Sequence, residues 1–476
     1  MVPAAELGQA SGDPVITAIE DRGGGDIPSV GRVLPVAQDG VAVIGETLLV
    51  RGRHFGRQPT VAIAGKAATV VSRTEDGGIL LRVPPGVPAG SQRLSVAQEE
   101  GRGEHAITVR RMAVARDDHG LTWLDVGATT LAQVGRAELS DARAVVFSPD
   151  GRAAYALDKA GTLHVFEMPA AGVPALRGQL KLPLPVRALL SSGTQRLVVL
   201  GEAELHLVDL STPLYPVRAE SLPLPLWARG TRPLHAALSP DGRRLALALP
   251  EHNRLVVVAL SELRAGHEPV HASLPIAPEI LAPVLADLTF APDGKTLWLV
   301  SGVTAESRGL GPTRTRVHAV RLNDAGHDAG QPDVAVGLTQ ARVVEIEEAT
   351  RPVAIVTGRA MPLASGAAIR LPPERATVHV AAYGSIDGRP SIFSLGADDA
   401  ARTALTDRQA GVIGRPEVSP DETWLLSPSG DAAGGWRVLG VPPASGTRVE
   451  ATRLALGAAG GAATTGTTTM EIRVQP

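Results

Sequence analysis

Phe147-Ser148-Pro149-Asp150-Gly151, Leu238-Ser239-Pro240-Asp241-Gly242, Phe290-Ala291-Pro292-Asp293-Gly294 and Val418-Ser419-Pro420-Asp421-Glu422 are four copies of one phrase. Each copy lies between two short apolar runs, and a third run usually follows. Proline pre-sets φ for the first central position of a turn, aspartate can accept from the local backbone, and glycine tolerates positive φ. The phrase is therefore a turn joining two strands, and it recurs along the chain. Recurrence of this kind, with several short strands per repeat, predicts a β-propeller.

Working outward from Ser148, the first clear repeat runs from Ala144 to Leu182. Its strands are predicted to end at Phe147 and then to cover Ala153–Leu157, Thr162–Glu167 and Leu176–Leu182. Degenerate turns at Ser191-Ser192-Gly193-Thr194 and Leu371-Pro372-Pro373-Glu374 bring the repeats to six. Third strands align at Leu205–Leu210, Leu255–Leu260, Val317–Leu322 and Ile392–Leu395. Met112–Ala115, Leu121–Val126 and Leu131–Leu139 supply three more strands without a first, and 470–474 is an orphan strand. Pairing the orphan with that trio gives a seventh blade and removes an open sheet edge. Arg342–Glu348 and Val353–Thr357 read as an extra hairpin, with an eighth blade as the alternative. The repeat resembles bacterial propellers of the YVTN, lactonase-like and TolB-like kind. Several families share its turn phrase, so the resemblance implies a fold and no particular activity.

Residues 14–111 have another texture, with strand-like alternation in Leu48, Val50 and in Val61, Ile63, punctuated by Gly and Pro. Pro14-Val15-Ile16, the run from Val50 to Gly56, Ile63-Ala64-Gly65 and Val83-Pro84-Pro85-Gly86 follow one another in order. This stretch resembles the IPT/TIG domain, and the resemblance implies an immunoglobulin-like β-sandwich. Members of that family occur in DNA-binding factors, cell-surface receptors and bacterial envelope proteins. The chain thus divides into a flexible segment 1–13, a sandwich 14–111 and a propeller 112–476. The fold class is all-β. An exposed linker within Val109–Ala115, open to first proteolytic cuts, is expected at the boundary.

Charge argues against nucleic acid as a partner. The chain carries 46 Lys+Arg against 49 Asp+Glu, and residues 1–112 hold 12 of each. Arg51, Arg53, His54 and Arg57 cluster, but phosphate contact normally takes more such groups. With no cysteine, disulfides, thiolate metal sites and thiol catalysis are excluded. The longest apolar runs, such as Leu255–Leu260, are strand-length, so no transmembrane segment is expected. No basic, apolar leader opens the chain. An extracytoplasmic setting, periplasm or cell surface, is expected with the leader absent from this chain, and the cytoplasm is the alternative.

No Gly-x-Ser-x-Gly elbow, phosphate-binding glycine loop or His-Glu-x-x-His is present, so no catalytic residue, metal ligand or cofactor is assigned. His164, His206, His318 and His379 fall on predicted strands, which points to structural roles. Asp117-Asp118-His119 and the run from Asn323 to Asp328 lack the spacing of a calcium loop. Binding is therefore sought on the long loops of the face opposite the Ser-Pro-Asp-Gly turns, in 225–233, 276–286, 301–316 and 407–416. These carry Trp227, Arg229, Arg232, Arg308, Arg314 and Arg415, of the types richest in interface hot spots. Trp227 is read as an anchor whose truncation would leave the melting curve unchanged. The function expected is non-enzymatic: a scaffold that binds other proteins of a bacterial cell-envelope or surface assembly. The alternative is a hydrolase or lactonase-like enzyme with its site in the propeller channel.

Overall fold

The computed structural model describes residues 12–21, 40–99, 101–117, 120–128, 130–139, 141–168, 173–183, 186–191, 194–229, 235–249, 254–263, 269, 271–275, 284–302, 314–324, 335–357, 361–362, 368–369, 378–385, 389–395, 401–406, 410–420, 424–431, 436–441, 452–456 and 471–476. Among these residues strand dominates, with two short 3-10 segments at Leu226–Ala228 and Leu260–Glu262.

The repeated phrase folds by its own chemistry. Ser148 Oγ donates to Asp150 Oδ1 at 2.7 Å and accepts from the backbone N–H of Ala153 at 2.9 Å. Asp150 Oδ1 also accepts from the N–H of Arg152 at 3.2 Å. The turn that begins at Ser239 repeats these bonds through Asp241 and the N–H groups of Arg243 and Arg244. Where Ala291 replaces the serine, Thr296 bonds Asp293 through its N–H and its hydroxyl, at 3.1 and 3.2 Å. Each turn therefore satisfies its own polar groups and leaves the flanking strands free to be apolar.

Those strands build four-stranded antiparallel sheets. The first holds Ala142–Phe147, Ala153–Asp158, Thr162–Glu167 and Ala175–Lys181, and the second Val186–Ser191, Arg196–Gly201, Glu204–Asp209 and Val217–Pro223. The third holds His235–Leu238, Arg244–Leu249, Arg254–Ala259 and His271–Pro275, and the fourth Val284–Phe290, Thr296–Gly302, Thr315–Asp324 and Ala335–Ile346. The fifth holds Ala349–Thr357, Val378–Gly384, Pro390–Leu395 and Ala401–Thr406. In the sixth, Ala410–Ile413 and Glu417–Val418 lead into Leu425–Asp431, Trp436–Val441 and Thr452–Leu456.

A closing sheet joins the two ends of the chain. Glu471–Val474 pairs antiparallel with the end of Gly101–Asp117, Ile472 opposite Ala115 and Val474 opposite Ala113. Gly120–Val126 and Leu131–Glu138 continue that sheet outward. The first strands then neighbour one another in a cycle: Ala142–Phe147, Val186–Ser191, His235–Leu238, Val284–Phe290, Ala349–Thr357, Glu417–Val418, Glu471–Val474 and back to Ala142–Phe147. Apolar clusters sit between successive sheets. Tyr155 and Val165 meet Leu189 and Val199, for example, and Trp298 and Val317 meet Ile355 and Val380. Sheets covered on both faces explain why Arg244–Leu249 and Thr296–Gly302 are buried along their whole length.

The region from Arg342 to Thr357 differs from its sequence reading. Ala335–Ile346 is the outer strand of the fourth sheet, paired with Thr315–Asp324. Ala349–Thr357 is the inner strand of the fifth, paired with Val378–Gly384. The two runs do not form a hairpin, and neither belongs to a further sheet. The degenerate turn placed at Leu371–Glu374 lies outside the described residues.

The N-terminal part has two sheets over one core. Ile19, Leu48, Val50, Ile79 and Leu81 on one side meet Val61, Ile63, Leu94, Val96, Ile107 and Val109 on the other. Phe55 is buried among them, and Gly52 makes room for it: a Cβ there would strike the Val15 carbonyl and the Phe55 ring. The expected exposed linker is absent. Gly101–Asp117 is one strand of 17 residues that serves both parts. Val109 and Arg111 to Ala115 are buried, because each half of the strand is paired and covered by a core. Limited proteolysis is therefore expected to spare Val109–Ala115. A first cut within those residues, seen by mass spectrometry, would contradict this strand.

Candidate functional site

Charged side chains converge where the first strands meet. Asp287 is buried, and its carboxylate accepts from Arg415 Nη1 at 2.9 Å and from the N–H groups of Leu288 and Ile355 at 2.9 and 3.1 Å. The pairing register shifts between Leu285 and Asp287. His235 Nδ1 stands 3.9 Å from the same carboxylate. Arg415 in turn bridges in parallel to Glu471. Glu471 is ion-paired with Arg473 and lies 3.7 Å from Arg116 Nε. Arg473 also reaches Glu417 at 3.3 Å, and Arg116 Nη1 donates to the Ala142 carbonyl at 2.9 Å. Three carboxylates and three guanidinium groups thus tie the closing sheet to the first and sixth, and the fourth sheet to the fifth and sixth.

The electrostatics follow from burial set against pairing. Burial raises the Glu417 carboxyl above its usual range, and Arg473 and Arg415 oppose this only in part. Burial also works against Glu471, but Arg473, Arg116 and Arg415 together hold it below that range. Burial lowers His235 more than Asp287 raises it, which favours the neutral imidazole. His235 and Arg415 keep 25% and 27% of their side-chain surface exposed, so a solute can reach both beside Asp287, and Arg473 and Glu417 are exposed to a similar degree, 24% and 25%.

Sequence reading singled out Arg415 alone in this cluster and placed it on a loop rim, whereas it sits among the inner strands. Asp287, Glu417, Glu471, Arg473, Arg116 and His235 were missed. The available signal was a charge inside a mostly apolar first strand, as at Asp287 within Val284–Phe290.

Among the described residues, Arg314, Arg229 and Trp227 have other partners than this cluster. Arg314 and Arg316 share Glu345, whose carboxyl is held low first by the Arg314 hydrogen bond. Arg229 is exposed, and its Nε donates to the Leu224 carbonyl at 2.7 Å. Arg232 and Arg308 lie outside the described residues. Trp227 is half-buried in the 3-10 segment, packed on the cluster of Leu222, Leu224, Leu238 and Leu260, with its ring 4.9 Å from that of His271. It packs against side chains of both the second and third sheets, which weighs against an unchanged melting curve on its truncation. Trp227→Ala is expected to cost about 2 kcal/mol, below the ~3–5 kcal/mol of a fully buried aromatic because only part of the ring is packed. A thermal melt of the variant checks this.

The strand histidines are bound into their sheets. His206 and His379 pair with Ser221 and Ser394 at 2.9 and 2.6 Å, and His318 with Ser301 at 3.0 Å. His164 meets Asp158 at 2.9 Å. Among the described residues, no helix is long and apolar enough to cross a membrane.

No protein-family model matches the sequence, and no curated protein matches it. Solved structures do. The periplasmic gluconolactonase PpgL of Pseudomonas aeruginosa aligns at a TM-score of 0.50 and 16% identity, over 77% of this chain and 99% of that one. A quinoprotein alcohol dehydrogenase-like protein of Bacteroides thetaiotaomicron aligns at 0.45 and 11%, over 92% and 96%. The Swd1 β-propeller domain of Myceliophteria thermophila aligns at 0.44 and 13%, over 74% and 93%. At these identities the likeness is one of fold. The chain is an all-β protein with a β-propeller fold.

Proposed function

We propose that this chain is a non-enzymatic binding scaffold of a bacterial cell-envelope or surface assembly, acting outside the cytoplasm. In this reading an IPT/TIG-like sandwich is fixed to a seven-bladed propeller, and other proteins are its partners. One observation carries it: the buried charges of the inner ring are spent on one another. Asp287 accepts three hydrogen bonds, and Glu471 and Glu417 are paired to arginine, so the inner ring works as a cross-link between sheets. The sandwich turn at Gly45 meets the Ser-Pro-Asp-Gly turn of the first sheet, which leaves the opposite face, with Arg229 and Arg314, for a partner. Photo-crosslinking in the native cell is the test. Probes at Arg229 and Arg314 should capture a partner that a probe at Arg243, on the turn face, does not. A protein recovered without partners from every probe, and free of the envelope fraction, overturns the reading.

A lactonase-like or other hydrolase is the second reading. It rests on His235, Asp287 and Arg415: a neutral imidazole beside a carboxylate, next to a cation able to hold an anion, suits general-base chemistry. A screen of lactone hydrolysis with the wild-type chain and His235→Gln decides it. Activity lost in the variant supports the enzyme, and none in either chain removes it.

A further inference from the structure

Gln475 follows the closing strand and is fully buried. Its backbone N–H donates to the Met112 carbonyl at 2.9 Å, and its Oε1 accepts from the Met112 N–H at 2.9 Å. Its Nε2 donates twice, to the Ile44 carbonyl at 2.9 Å and to the Gly151 carbonyl at 2.6 Å. One carboxamide therefore joins the shared long strand, a turn of the N-terminal module and the first Ser-Pro-Asp-Gly turn. The choice of residue follows from its chemistry. A carboxamide offers an acceptor and two N–H donors in one plane, a carboxylate offers no donor, and an aliphatic side chain offers neither.

Two glycines allow the three parts to meet. Gly45 has φ +80°, and a Cβ there would stand 2.5 Å from the Asp150 carbonyl oxygen and 2.9 Å from the Gly151 carbonyl carbon. Gly151 has φ +75°, and its Cβ would fall 2.9 Å from Ile44 Cγ2 and 3.2 Å from the Gln475 side chain. The fourth sheet's turn shows that this crowding is no property of the phrase. A Cβ on Gly294 would find only Pro240 Cδ, at an ordinary 3.6 Å. The module's turn is itself stiffened: Glu46 Oε2 accepts from the Val43 N–H at 2.9 Å, and Gly45 and Glu46 exchange backbone bonds with Val83.

We propose that the N-terminal module is the clasp of the ring. By holding Gln475 against the first sheet, its Ile44-Gly45 turn keeps the closing strand seated. Docking of the module and closure of the ring are then one cooperative step, and a module prised off the turn releases the strand Glu471–Val474. This role stands apart from any binding activity of the molecule.

Hydrogen exchange by mass spectrometry on the full chain tests the clasp. Gly45→Val alters only the module side of the junction. Exchange in Glu471–Val474 is expected to rise by roughly tenfold or more in that variant, because local opening sets exchange rates. Unchanged exchange there would mean that the module merely rests on the ring, and would overturn the proposal. Should Gly45→Val fail to fold, Gln475→Glu examines the junction from the other side. It keeps the side chain's shape but sets a carboxylate against two carbonyl oxygens. Protection is then expected to fall in Val41–Val43 as well as in Glu471–Val474, and full protection of Val41–Val43 would equally refute the clasp.

Discussion

A chain ending at Thr469 is expected to lose its folded ring. The deletion takes Ile472 and Val474 from the core between the sixth and closing sheets. Burying side chains of this kind contributes roughly 1.5–3 kcal/mol each. It also removes Glu471 and Arg473, leaving Arg116 and Glu417 without those partners. Breaking a buried pair such as Arg116–Glu471 by removing one member costs about 3–5 kcal/mol, and less where the pair is a quarter exposed, as Glu417–Arg473 is. The long strand would present an unpaired edge besides. Together these losses are comparable with the ~5–15 kcal/mol that holds an ordinary domain together. Circular dichroism and a thermal melt of the truncated chain would show the loss, and a synthetic peptide of residues 470–476 should restore part of it. An unchanged midpoint in a monomeric truncated chain would show that the strand closes nothing.

Acid should destabilise the protein before its carboxylates titrate. Burial lowers His318 and His379 from the usual 6.5 to about 4. The unfolded chain takes up these protons near pH 6.5, whereas the folded chain resists until about pH 4. Their stabilisation is therefore complete above pH 6.5 and is lost as pH falls from 6.5 to 4. Each histidine contributes up to about 3 kcal/mol across that window. His235 and His206 are lowered as well and act in the same direction. Glu417 works against them, because its raised carboxyl gains protons on folding and so favours the folded state as pH falls. Urea unfolding at pH 7.5, 6 and 5 measures the slope. His379→Gln keeps a polar partner for Ser394 and should flatten it. An equal slope in the variant would mean that His379 is not held neutral.

What could be read from the sequence was local chemistry. Ser148, Asp150 and Gly151 build their turn from one another, so the phrase announced its strands wherever it was intact. Ala349–Thr357 lacked that cue. Its partner Val378–Gly384 begins more than twenty residues later, and no intact phrase stands between them. The inner ring was hidden for a different reason: Asp287 meets Arg415 only two sheets further on, and Arg116 meets Glu471 only after the chain has gone the whole way round. Spacing along the sequence holds no trace of such pairs. Composition did mark a change near Val109–Ala115. But Val-Arg-Arg-Met-Ala-Val-Ala is as good a strand as a linker, and tertiary pairing on both sides decided between them.

The strand Gly101–Asp117 has a mechanical consequence. Its first half is bonded along Gly90–Gln98 and its second along Gly120–Val126 and Glu471–Val474. A pull on the N-terminal module directed along this strand loads those ladders lengthwise, so that many bonds must slide at once. Tension at that end would reach the ring as shear, through a single unbroken tie-rod of backbone.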